Sequence, residues 1–133
     1  MHWLRGKEQR LSFPLDELKP VLTCALLQQI QDNVNKITVS EELYEYLIKI
    51  VNATRNSAKL EYGASPRGSL DLMRYSQAAA LFEGRDYVLP DDIKRSAPLI
   101  LGHRVIIKKG TRLTSTSNTE IIDSIVESVE VPV

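Results

Sequence analysis

The sequence predicts an all-α domain: a helical bundle of four main helices plus a C-terminal helix, with short extended pieces between them. Three observations support this fold class. Apolar residues recur at helical spacing along most of the chain, serine or threonine precedes several of these stretches, and glycine or proline stands near their ends. The 133 residues are 43% hydrophobic and 26% charged, which is typical of a soluble globular domain with its own hydrophobic core.

The first two helices are predicted from their caps and apolar stripes. The first spans residues 23–35 with Thr23 as its cap, and residues 36–39 are predicted to be extended. Ser40 caps the second helix, which ends near residues 55–57 and is followed by a loop at 56–63. The apolar spacing predicts that one face of the second helix is buried. That face consists of Leu43, Tyr46, Leu47, Ile50, Val51 and Thr54.

The third helix is predicted over residues 66–83. Ser65 is a favourable N-cap, and Pro66 occupies the first helical position, where a missing N–H costs nothing. Gly84 is predicted to end the helix, and residues 85–89 to be short and extended. The predicted buried positions of this helix include Leu70, Met73 and Leu81.

The last third of the chain is predicted to hold two more helices. Pro90 begins the fourth, and Pro98 lies inside its pattern, where a proline is expected to kink a helix. Residues 104–110 are predicted to be extended, and residues 111–119, rich in threonine and serine, to form a loop. Asn118 is the predicted cap of the C-terminal helix. Its apolar stripe consists of Ile121, Ile122, Ile125, Val126 and Val129.

The composition limits the classes of partner. Lys+Arg and Asp+Glu both number 17, and this zero net charge argues against nucleic acid or membrane binding through bulk charge. Cys24 is the only cysteine, which excludes a disulfide framework and favours a reducing compartment. No apolar run approaches the roughly 20 residues of a membrane span, and residues 1–10 do not resemble a secretory signal. We therefore predict a cytoplasmic protein with no nucleic acid and no membrane partner.

No group of residues is predicted to catalyse a reaction in this chain alone. The Gly-Lys pair at 6–7 lacks the first glycine of a phosphate-binding P-loop, and the acidic pair at 16–17 follows no buried strand. His2 and His103 have no second ligand at metal-binding spacing. The prediction is therefore no catalytic residue and no metal site.

Arg67 is the most informative residue, because it places a cation in the first turn of a helix, where Asp or Glu is favoured. Such a cation, beside unpaired backbone N–H groups, is suited to bind an anion, and phosphate is the commonest one. A second interpretation is that Arg67 is solvated or pairs with Asp71 one turn further on.

Several motifs occur together in one part of the chain, residues 14–104. They are YGASPR at 62–67 with the helix after it, GRDYV at 84–88, PDDI at 90–93, HR at 103–104, TR at 54–55, the helix at 40–51, and the segment 14–22. Together these motifs resemble the C-terminal lid domain of MoxR-type AAA+ ATPases, and residues 14–22 resemble the segment that joins the ATPase core to this lid. Leu89 departs from the pattern, since many relatives have serine or threonine there.

The resemblance implies that Arg67 is the sensor-2 residue, which reaches the γ-phosphate of ATP bound in the core domain, with Ser65 and Pro66 setting the geometry. It implies ATP and Mg as cofactors of a full-length ATP hydrolase, neither bound tightly by this chain alone. It implies three partners: the AAA+ core domain of the same polypeptide, neighbouring subunits of a ring oligomer, and an unknown client protein remodelled in a chaperone-like way.

The implied domain organisation has three parts. Residues 1–22 are a connector from an ATPase core, 23–104 are the helical lid, and 105–133 are an extension with one helix. The alternative is a stand-alone helical protein-interaction module in which Arg67 is an ordinary surface residue. If a partner domain is missing, Trp3, Leu11 and Phe13 in the connector are expected to expose apolar surface.

Overall fold

The computed structural model describes residues 18–110 and 117–132. The chain divides into two units, residues 1–30 and 31–133. The predictions for the Gly-Lys pair at 6–7, the acidic pair at 16–17, and Trp3, Leu11 and Phe13 lie outside the described residues, as does most of the predicted loop at 111–119.

Helices dominate the described residues, which confirms the all-α fold class. The helices are α1 (Cys24–Val34), α2 (Glu41–Asn56), α3 (Pro66–Phe82), α4 (Pro90–Leu101) and α5 (Asn118–Ser128). A 3₁₀ turn at Gly102–Arg104 follows α4, and the two short strands are β1 (Leu60–Tyr62) and β2 (Ile106–Ile107). Within the described ranges, no helix combines the length and the apolar character needed to cross a membrane.

The ends of the helices follow local sequence signals. Thr23 caps α1, because its Oγ1 accepts a hydrogen bond from the Leu26 N–H at 3.1 Å. Gly84 ends α3 with φ at +74°, a left-handed conformation that glycine adopts without steric cost. Its N–H donates to the Leu81 carbonyl at 2.9 Å. Pro98 does not end α4, because the helix continues past it to Leu101.

The core of the second unit lies among α2, α3, α4 and α5, and α4 packs against both α3 and α5. The predicted face of α2 is buried at all six positions. The largest fully buried apolar side chains are Tyr46, Ile50, Leu72, Ile93, Leu101, Ile121 and Ile122.

The predicted buried face of α3 was wrong at Leu70, a residue that is 54% exposed. The buried face instead includes Gly68, Leu72, Ser76 and Ala80, which recur every four residues. Three of these residues are small or polar, because α4 approaches α3 closely along this line. A search for large apolar residues therefore selects the wrong side of the helix.

Residues 60–62 were predicted to be a loop, but they form β1 and pair antiparallel with β2, Leu60 opposite Ile107 and Tyr62 opposite Ile106. A three-residue strand is too short to show a periodicity of its own. A second pairing joins two segments that were predicted to be extended. The Thr38 N–H donates to the Asp86 carbonyl at 2.8 Å.

The predicted cap of the C-terminal helix, Asn118, was also wrong, because Ser117 is the cap. Ser117 Oγ accepts from the Glu120 N–H at 3.2 Å, and Glu120 Oε2 accepts from the Ser117 N–H at 2.8 Å, which forms a capping box. Asn118 Nδ2 instead donates to the carbonyls of Gly102, at 2.6 Å, and Val105, at 3.3 Å. Asn118 therefore ties α5 to the 3₁₀ turn.

Candidate functional site

The candidate site is the turn of residues 63–67 at the start of α3, here called the α3 turn. Ser65 is the N-cap, with an extended backbone at φ −78° and ψ 166°, and its Oγ accepts from the Gly68 N–H at 3.4 Å. Pro66 fills the first helical position, as the sequence predicted. The α3 turn therefore presents the start of a long helix, where the positive end of the helix dipole favours an anion.

Arg67 is exposed at this helix start, and no described residue forms an ion pair with its guanidinium. Its backbone N–H also has no acceptor among the described residues. The second interpretation of the sequence was that Arg67 is solvated or pairs with Asp71. Arg67 is exposed, as the first half of that interpretation expects, but the pair is not formed, because Asp71 pairs with Arg104 at 2.6 Å. Arg67 is therefore left as a cation beside a free backbone donor.

The last turn of α2 holds the α3 turn in place. Buried Thr54 donates from Oγ1 to the Val51 carbonyl at 2.6 Å, and the same oxygen accepts from the Ala64 N–H at 2.9 Å. Arg55 Nε donates to the Ala64 carbonyl at 2.9 Å. Both backbone groups of Ala64 are thus bonded to adjacent residues of α2, which fixes the direction of the chain entering α3.

Gly63 lets these two segments come together. A Cβ on Gly63 would lie 2.5 Å from the backbone N and Cα of Arg55 and 2.6 Å from the carbonyl carbon of Thr54. Backbone atoms of a helix cannot move aside as a flexible side chain can. The site therefore requires glycine at this position for close approach.

The second support comes from Arg104 in the 3₁₀ turn. Its guanidinium holds Asp71, and a Cβ on the buried Gly68 would lie 3.7 Å from Arg104 Cδ and 3.4 Å from Leu101 Cδ2. The aliphatic part of Arg104 thus packs near the residue that follows Arg67. The sequence assigned Arg104 to the family pattern but gave it no physical role.

The corner between α3 and α4 contains a charged cluster of Glu83, Arg85, Asp92 and Arg95. Arg85 binds both oxygens of the fully buried Asp92 carboxylate at 2.8 Å, and the Leu89 N–H donates to the same carboxylate at 2.8 Å. Burial, the largest single influence, raises the pKa of the Asp92 carboxyl. The hydrogen bonds from Arg85 and the Leu89 N–H outweigh it and lower the pKa below its ordinary value.

This cluster stabilises the fold and explains the departure at Leu89. A leucine side chain cannot cap a helix, but the Asp92 carboxylate accepts a hydrogen bond from the N–H of Leu89, the residue just before α4.

No three His, Cys, Asp or Glu residues of the described chain are placed to hold a metal ion. His103 lies in the 3₁₀ turn and is exposed.

Substituting Gly63 with alanine tests how firmly the α3 turn is fixed. We expect Gly63→Ala to lower the free energy of unfolding by about 1–3 kcal/mol, because the added methyl overlaps backbone atoms of α2. Gly110→Ala is the matched control, since no atom of the described residues lies within 4 Å of its Cβ position. Urea denaturation of both variants measures the difference. Equal stability of the two would contradict the close approach at Gly63.

The chain is similar to known proteins in sequence and in structure. The sequence model of the AAA lid domain family matches residues 52–125. The chain is 36% identical over 125 residues to YeaC, an uncharacterised protein of Bacillus subtilis, with 94% of this chain and 39% of YeaC covered. It is 28% identical over 132 residues to the chaperone MoxR1 of Mycobacterium tuberculosis, with 92% and 35% covered.

Among solved structures, the chain resembles a candidate ATPase from Cytophaga hutchinsonii. The TM-score is 0.81 and the sequence identity 32%, and the match covers 98% of this chain and 42% of that one. The chain thus spans about two fifths of the length of these three relatives.

Proposed function

We propose that this chain senses the γ-phosphate of ATP through Arg67. The chain belongs to the AAA lid domain family and forms a lid of the MoxR type. In this proposal ATP is bound by an AAA+ core domain of the same polypeptide, and Arg67 is the sensor-2 residue. The observation that carries the proposal is the exposed Arg67 guanidinium, which no described residue neutralises, at the start of α3.

The residues of the α3 turn fit a phosphate group. A guanidinium offers several N–H donors in one plane, and the adjacent Arg67 backbone N–H points from the positive end of α3. Ser65 and Pro66 set the start of the helix, so the donors are arranged before the anion arrives. The described residues offer no cluster for a metal ion, so Mg would be held by the core domain with the nucleotide.

The support of the α3 turn suggests how phosphate sensing could change the lid. Ala64 is bonded to α2 on one side, and Arg104 connects α3 to the 3₁₀ turn on the other. Because these contacts join the turn to the helical core, loss of the Arg67–phosphate contact on hydrolysis would shift the lid against the core domain as one body. We propose that this movement drives chaperone-like remodelling of a client protein by a ring of subunits.

The family also bears on the domain bounds, the location and the partners of this chain. The bounds 1–22, 23–104 and 105–133 for connector, lid and extension stay predictions. We propose a cytoplasmic location, since a single cysteine suits a reducing compartment. With zero net charge, we propose no nucleic acid and no membrane among the partners.

Titration of ATP into the isotope-labelled chain tests the proposal directly. We expect weak binding, with a dissociation constant of about 1 mM or above, because one arginine and a helix end supply only a few kcal/mol. The first amide signals to shift should be those of residues 65–70, and ADP should shift them less than ATP.

Two variants make this titration decisive. Arg67→Ala should abolish the shifts, whereas Arg74→Ala should leave them unchanged, since Arg74 is exposed on the same helix two turns away. Shifts that survive in Arg67→Ala, or micromolar binding elsewhere on the chain, would contradict the proposal. Either result would favour the stand-alone interaction module.

A further inference from the structure

We infer that Arg104 is a positioning residue that keeps Arg67 available by holding the Asp71 carboxylate away from it. This inference rests on the function proposed above, since it concerns the same arginine. It assigns a physical role to Arg104, and through Arg104 to the start of α5.

The competition arises from helix geometry. Asp71 follows Arg67 by four residues in α3, so the two side chains lie on one face of the helix, close enough to form an ion pair. In the structure Asp71 pairs with Arg104 instead, and Arg104 Nη2 lies 2.6 Å from Asp71 Oδ2. The two side chains are 28% and 30% exposed, so water screens this pair less than a pair on the open surface.

Arg104 is fixed from outside α3. Asn118 is hydrogen-bonded to the 3₁₀ turn that contains Arg104. Its Nδ2 donates to the carbonyls of Gly102 and Val105, which lie just before and just after the two basic residues of the turn. Thr119 packs against the same turn, because its Cγ2 lies 3.2 Å from a Cβ placed on Gly102. Asn118 and Thr119, the first residues of α5, therefore fix the position of Arg104.

The hydrogen bonding of Arg104 is incomplete, which sets it apart from an ordinary structural arginine. Its Nε is buried and has no partner among the described residues. A buried donor without an acceptor is unfavourable, and such groups are uncommon in folded proteins. The Arg104 guanidinium thus stays paired with Asp71 although its Nε–H donates no hydrogen bond to a described residue. A role in positioning Arg67 would explain why this unfavourable arrangement is kept.

Neutralising Asp71 matters for the anion as well as for Arg67. Without Arg104, the carboxylate would pair with Arg67, and its charge would also lie within one helical turn of the phosphate. Both effects weaken anion binding, the first by occupying the guanidinium and the second by repulsion. If Asp71 is neutral, neither occurs, and Arg104 is no longer needed.

Three variants of this chain separate these effects. Arg104→Met keeps an aliphatic side chain beside Gly68 and removes the charge, Asp71→Asn removes the carboxylate charge, and the double variant removes both. Circular dichroism and thermal unfolding establish that each is folded. Arg104→Gln is the substitute if Arg104→Met fails to fold.

The first measurement needs no nucleotide. Rotation of the Arg67 guanidinium, followed by side-chain nitrogen NMR, should be fast in the wild-type chain and slowed in Arg104→Met, where Asp71 becomes its partner. In the double variant it should be fast again. A purely structural role of Arg104 would give no such rescue, and a guanidinium that rotates freely in Arg104→Met would overturn the inference.

The second measurement is the ATP titration of residues 65–70 in the same variants. We expect Arg104→Met to weaken ATP binding about threefold to fivefold, a modest factor because water screens charges at this surface. The double variant should recover wild-type affinity. If it stays weak while Arg67 rotates freely, Arg104 itself contacts the phosphate and the inference is wrong. If the wild-type chain shows no ATP response at Arg67, the proposed function fails, and the rotation measurement still decides the role of Arg104.

Discussion

Replacing Arg67 with alanine in the full-length ATPase that we propose is expected to lower ATP hydrolysis at least about tenfold. A preorganised donor at a position where charge must be stabilised is typically worth roughly 10²–10³ in rate. The lid itself should stay folded, because removing a cation from a helix start is neutral or stabilising by a few tenths of a kcal/mol. Steady-state phosphate release measures the effect.

Nucleotide binding distinguishes a sensor from a general binding residue. If Arg67 reaches only the third phosphate, Arg67→Ala should weaken ATP binding more than ADP binding. Arg74→Ala serves as the matched control, since it removes an exposed arginine from the same helix. Wild-type turnover in Arg67→Ala, or equal loss of ATP and ADP affinity, would show that Arg67 does not sense the γ-phosphate.

Asp92→Asn is expected to lower the free energy of unfolding of this chain by about 2–3 kcal/mol. The substitution removes the charge from a fully buried carboxylate that two arginines and the Leu89 N–H contact. The loss stays below that of a completely buried pair, because Arg85 is 17% exposed and keeps its bond to Glu83. Asp91→Asn changes an exposed carboxylate next to it and should cost only a few tenths of a kcal/mol.

The pH dependence of this loss has a definite sign. The pKa of Asp92 is lowered in the folded chain, so its ionised form adds stability at neutral pH. That stability declines as the pH falls below the unfolded pKa of about 3.9, and is gone below the folded pKa. Glu83 acts in the same direction, since hydrogen bonds from Arg85 and Arg95 lower its pKa.

Urea denaturation between pH 7 and pH 3 checks this prediction. The gap in unfolding free energy between the wild-type chain and Asp92→Asn should be constant from pH 7 to about pH 5 and should narrow below that. A gap that is independent of pH would mean that the charge of Asp92 contributes nothing, and that the variant acts through packing alone.

The sequence by itself determined most of the local structure. Caps and stops act within a few residues, so Thr23, Ser65, Pro66 and Gly84 could be assigned without knowledge of the rest of the chain. The buried face of α2 was also predictable, because large apolar residues mark it. Arg67 could be singled out for the same reason, since a cation in the first turn contradicts a purely local rule.

The tertiary structure decided everything that depends on contact between distant segments. The Arg104–Asp71 pair, which leaves Arg67 without an ion-pair partner among residues 18–110 and 117–132, joins α3 to a turn that follows α4. The hydrogen bond from the Ala64 N–H to Thr54 and the bond from Arg55 to the Ala64 carbonyl depend on the chain returning to the end of α2 after β1. A local helix rule favoured pairing Asp71 with Arg67, and only the packed fold shows that a remote arginine competes for the same carboxylate.

The same reason explains the errors on α3 and α5. Leu70 is exposed because the inward face of α3 is made of small residues that allow α4 to approach, and hydrophobicity alone does not reveal a close approach. Asn118 resembles a cap, but its amide is bonded to carbonyls of a turn far back in the chain. Local signals thus fix where helices begin and end, whereas long-range packing and hydrogen bonding fix which side chains remain free to act.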